Sequence, residues 1–97
     1  MFRQGDLLFV EVDEIPEDAK TDEKGILAYG EVTGHTHRIR SGVEAAMKIA
    51  AGVAYVQAMR EAHIDHEEHA TITLPPGNWQ VVRQREYLPE GYRQVMD

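Results

Sequence analysis

Apolar residues in this chain come in short runs, and nearly every run is closed by a glycine, a proline or a group of charges. That punctuation argues against long amphipathic helices, whose apolar stripe must recur at i, i+3 and i+4 over several turns. It suits short strands joined by tight turns. Met1–Val12 reads as one strand, with Leu7 and Phe9 on one side and Leu8, Val10 and Val12 on the other. Pro16 ends it, and the acidic stretch Glu14–Lys24 reads as an exposed loop. A second strand is expected from Ile26 through Val32, and a third over His35–Arg40 after the break at Gly34. Ala70–Leu74 alternates, Pro75-Pro76-Gly77-Asn78 signals a turn, and Trp79–Tyr87 returns as a strand.

The middle of the chain pulls two ways. Gly42 and Gly52 bracket the alanine-rich Val43–Ala51, a short helix by propensity, whereas Val53–Met59 reads as a strand. The expected fold is therefore mostly β, a small β-barrel or sandwich spanning 1–97 as a single domain. One short helix near residues 43–62 is the variable element. Ninety-seven residues leave no room for a second core. A domain of this size gains from a metal or from a homo-oligomer interface.

The formal net charge is −7. It argues against sequence-blind binding to nucleic acid, which needs a basic surface. Residues 1–24 hold eight acids against three bases, so the rest of the chain carries only a net −2 and is open to an anionic ligand. There is no cysteine, hence no disulfide and no thiolate metal site. No leader or membrane-spanning run is evident, so the expectation is a cytoplasmic protein without a membrane partner.

All five histidines fall between residues 35 and 69. Imidazole binds transition metals and moves protons near neutral pH, so the clustering nominates a site. On a strand, His35 and His37 would project to the same side and share one ion. His66 and His69 supply a third and fourth ligand, whether residues 65–69 form a helical turn or a loop. The expected metal set is His35, His37, His66 and His69, holding Zn, Fe, Mn or Ni, with Asp65, Glu67 or Glu68 as a carboxylate. The catalytic set is His35, His37 and His69. His66-Glu67-Glu68-His69 spaces its histidines three apart, unlike the zinc-protease motif. His63 is read as structural.

A second reading needs no metal. Two histidines would act as general base and acid in phosphodiester cleavage, with Arg38, Arg83 and Arg85 holding the phosphate of a nucleotide or RNA. The plainer role for those arginines is cross-strand ion pairing, and the plainer place for Trp79 is the core. A third reading is a regulator whose acidic N-terminal loop or strand edge meets a protein partner.

Several stretches carry a resemblance. Arg3–Val10, Gly30–Ile39 with Gly34-His35-Thr36-His37-Arg38, His66–Ala70, Leu74–Gly77 and Val82–Tyr87 together resemble small uncharacterised proteins of bacteria and their phages. The resemblance implies a soluble protein and no particular activity. The His-X-His pair and a later histidine before a Pro-Gly turn also look cupin-like in outline. The chain departs from the full cupin pattern in lacking a glutamate shortly after His37.

Overall fold

The computed structural model of the chain describes residues 1–29, 34–40 and 45–84. Turn chemistry sets much of its topology. Strands β1 (Phe2–Gln4) and β2 (Leu7–Val12) form a hairpin with Gln4 opposite Leu7, leaving Gly5-Asp6 as the loop. Gly5 has φ 59°, and glycine first in a two-residue hairpin loop is the type II′ preference. The single strand expected over Met1–Val12 is thus folded back on itself. Its two halves keep their β character, but the loop between them faces the histidines.

The expected acidic loop contributes a short edge strand, β3 (Lys20–Asp22). β4 (Ile26–Tyr29) and β5 (Thr36–Ile39) form an antiparallel pair, with Ala28 opposite His37. In place of the helix expected near 43–62 stand β6 (Ala45–Ala50) and β7 (Val53–Ala58), joined at Ala51-Gly52. Both loop residues have positive φ, 50° and 77°, as a type I′ hairpin requires. Alanine's helix propensity is overridden because the hairpin buries Met47, Ala50, Val56 and Ala58. β8 (Ala62–Asp65), which was not foreseen as a strand, points Ala62 and Ile64 inward.

β9 (Ile72–Leu74) and β10 (Gly77–Arg83) complete the set. They do not pair with each other. β9 pairs with β8, whereas β10 lies between β2 and β7. Pro75-Pro76 therefore carries the chain from one sheet to the other, which suits two residues with no N–H to give a ladder. Trp79 is buried as expected, edge-on to Phe2 at 5.3 Å, with its indole N–H donating to Pro75 O at 3.0 Å.

The result is two antiparallel sheets, one of six strands in the order β1-β2-β10-β7-β6-β3 and one of four in the order β4-β5-β8-β9. One apolar cluster draws on both, with Leu7, Phe9 and Val56 from the larger and Leu27, Ile64 and Leu74 from the smaller. This is the sandwich form of the expected fold. The sheets do not close into a barrel, and the described residues contain no helix. None is therefore long and apolar enough to cross a membrane. Near β9, the end of β1 brings the Gly5-Asp6 turn against the smaller sheet, and Gln84 N–H pins it by donating to Asp6 O at 2.7 Å.

Candidate functional site

The site begins with a glutamine that the sequence reading passed over. Gln4 ends the edge strand β1 and is almost fully buried, 2% exposed. Its amide nitrogen donates to Ile64 O at 2.7 Å and to Ala70 O at 2.9 Å. Turned the other way, its oxygen would face two carbonyl oxygens, so the amide has one workable orientation. Gln4 Oε1 then meets His37 Nδ1 at 2.9 Å. An oxygen can only accept, so Nδ1 carries the proton and Nε2 keeps its lone pair. That lone pair faces Asp6 Oδ1 at 3.6 Å, while Asp6 Oδ2 accepts from Arg83 at 3.1 Å.

His37 sits on β5, buried at 4% exposure, and the other imidazoles gather round it. His66 packs at 4.4 Å between ring centres and His69 at 6.4 Å, the latter nearly parallel. His66 and His69 are 4.6 Å apart. Residues 67–69 bend without forming a helical turn, because His66 Nδ1 accepts from the backbone N–H groups of Glu68 (3.0 Å) and His69 (3.1 Å). Its proton is therefore on Nε2, the reverse of His37. His69 lies on Gly5 so closely that a Cβ there would stand 2.7 Å from His69 Nε2.

His35 joins the group at its rim. The expected His35/His37 alternation presumes that both residues lie on the strand, but β5 starts at Thr36. Thr36 N–H instead donates to the Glu67 carboxylate, at 3.0 and 3.3 Å to its two oxygens, and this bond holds Glu67 below the usual carboxylate range. His35 consequently packs edge-on to His66 at 5.6 Å, with Nδ1 3.3 Å from Glu68 Oε1. His63 faces Thr73 instead, Nδ1 to Oγ1 3.0 Å, across the β8–β9 pair.

Burial, followed by the neighbouring His66, pushes the His37 imidazole from its ordinary 6.5 down to about 4. Burial and then His69 also lower His66. Both rings are thus neutral near pH 7. One offers a lone pair and the other an N–H.

Among the described residues no group of three His, Asp or Glu side chains is placed so that it could hold a metal ion. Two imidazoles on one tetrahedral ion have ring centres about 5 Å apart, given metal–nitrogen bonds of about 2.0 Å. His37 and His69, at 6.4 Å, must draw together to share one.

Of the expected anion-binding residues, Arg38 is exposed on β5, Arg83 is paired with Asp6, and Arg85 lies outside the described residues. Arg40 is engaged by Asp65, its Nη2 2.9 Å from Oδ1 and its Nε 3.0 Å from Oδ2. Gln4, Gly5 and Asp6 were missed as site residues. The one signal for them was a polar Gln-Gly-Asp interruption inside an otherwise apolar N-terminal run.

The chain belongs to a family described as a domain of unknown function (DUF8820), matched over residues 3–84. The match takes in every residue of the site from Gln4 to Arg83. No curated protein and no solved structure matches the chain.

Proposed function

We propose that this member of the DUF8820 family binds a divalent metal ion through His37 Nε2, Asp6 and His69, with His35 and His66 flanking the ion. The observation that carries the reading is the buried His37 lone pair facing a carboxylate oxygen at 3.6 Å. Two acceptors so placed repel each other unless a cation or a donated proton lies between them. Two ligand atoms bound to one ion at about 2.1 Å and a tetrahedral angle would lie about 3.4 Å apart, close to the spacing of these two, while His69 would have to draw in to join them. The Gln4 hydrogen bond to His37 Nδ1 supports the same reading, since metal-binding imidazoles usually donate their other N–H to a fixed acceptor.

Two imidazoles and a carboxylate suit Zn, Fe, Mn or Ni and leave coordination positions open. The chemistry an ion held by these residues would supply is acidification of bound water, so the activity proposed is that of a metal-dependent hydrolase. Its substrate would be a small molecule or nucleotide with an oxygen to place on the ion. The protein would work in the cytoplasm as one of the small bacterial and phage proteins that its motifs resemble.

Tag-free protein, stripped with a chelator and titrated with Zn, Mn, Ni and Fe(II), tests the reading. It should take up one ion per chain and melt at a higher temperature when loaded. His37→Ala should weaken uptake by more than the roughly 10–100-fold that loss of an outer-shell partner costs, because it removes a direct ligand. Protein that takes up none of these ions, with no change in melting temperature, would rule the metal reading out.

The opposite tautomers of His37 and His66 favour a second reading, a metal-independent phosphodiesterase or ribonuclease with His37 as base and His66 as donor. Activity that survives chelation would decide for it.

A further inference from the structure

We propose that a cleft between β7 and β10, outside the histidine cluster, binds a small apolar carboxylate with its charged end on Arg83. The inference stands independently of the metal reading.

Strand pairing creates the cleft. β10 lies against β7 from Gly77 opposite Ala58 to Gln80 opposite Tyr55, and there the ladder between them ends. β10 runs on beside β2 as far as Arg83 opposite Leu7, whereas Val53 and Ala54 of β7 pair with Ala50 and Ile49 of β6. The larger sheet therefore forks at this end. Val53 and Ala54 line one side of the gap, Val81 and Arg83 the other, with Leu7 and Leu27 buried at its floor. Ala54 and Val81 pack against the core yet stay partly exposed, which leaves apolar surface for a ligand to cover. The cleft holds about 300 Å³. That is roughly twice the 150 Å³ of an apolar cavity that takes up benzene, enough for about ten non-hydrogen atoms. Among the described residues of its lining, Arg83 alone carries a charge, and its side chain is 22% exposed. A cation at that depth attracts an anion more strongly than one in open water. Its Nη1 already donates to Asp6 Oδ2 at 3.1 Å, a carboxylate contact that a ligand carboxylate would share or take over. An aliphatic or aromatic body on the floor and a carboxylate at the rim suit both ends of the cleft.

The full chain, labelled with 15N and titrated by NMR with octanoate and with 1-octanol as its neutral counterpart, tests the proposal. Octanoate should shift the amide signals of Val53, Ala54 and Val81 to saturation. It should bind about tenfold more tightly than octanol, the worth of one hydrogen bond to a charged group. Arg83→Gln should bring octanoate down to the level of octanol, and Arg83→Lys, which keeps the charge, should restore part of the preference. Ala54→Phe, which fills the cleft, should remove the binding of both in protein that still melts cooperatively. Absence of saturable shifts at those three amides overturns the proposal. So does octanol binding as tightly as octanoate, or octanoate affinity unchanged in Arg83→Gln.

Discussion

At Gly5 two demands meet on one residue. Its φ of 59° lies in the left-handed region, and a Cβ would press against His69 Nε2 at 2.7 Å and His37 Cε1 at 3.3 Å. Alanine at such a φ costs about 1–2 kcal/mol before any contact is counted. Gly5→Ala should therefore lower stability by at least that much in denaturant melts and weaken metal uptake by displacing His69. Gly5→Asn separates the two effects, because asparagine tolerates the backbone but still carries a Cβ. It should recover much of the stability and none of the uptake. Full metal affinity in both variants would show that His69 has no stake in the site.

Hairpins are the elements that fix where everything else lies, and one of them is not optimal. Ala51 adopts φ 50° in the β6–β7 loop and is exposed. Asparagine before glycine is the preferred pair for a type I′ turn. Ala51→Asn should raise unfolding free energy by about 0.5–1 kcal/mol, with metal uptake unchanged. Equal or lower stability in chemical denaturation would mean that this loop relaxes to another turn type. The same element explains why the helix alternative failed. Propensity scores each alanine alone, whereas the register sets Met47 beside Val56 across the hairpin, both buried in the shared core.

On the scale of the whole molecule, burial of His37 between the two sheets ties the site to stability. In the unfolded chain its imidazole titrates near the ordinary 6.5, and in the folded metal-free protein near 4. Between those values the unfolded state binds more protons, so stability falls as pH drops from about 6.5 toward 4. The loss approaches roughly 3 kcal/mol at the acid end. Denaturant melts of chelator-treated protein at pH 7.5, 6 and 5 should show this decline, and His37→Gln should flatten it. An equally steep decline in His37→Gln would assign the acid sensitivity elsewhere. Asp65 works in the same direction at lower pH, because the Arg40 hydrogen bond holds its carboxyl below the usual range.

Local chemistry was readable along the chain. Short apolar runs and glycine or proline turns were enough to indicate a small β protein, and the bunching of histidines along the chain foreshadowed the grouping of His35, His37, His66 and His69 in space. Those features depend on period and turn preference, which neighbouring residues determine among themselves. Sheet membership was not local. Pro75-Pro76 looks the same whether it closes a hairpin or crosses between sheets, and only the partners of β9 and β10 decide. The tautomers were further still from view, since Gln4 meets Ile64 O and Ala70 O across some sixty residues of chain. A hydrogen bond assigns a proton only when both partners are in place, so folding alone gave His37 and His66 their different partners and opposite tautomers.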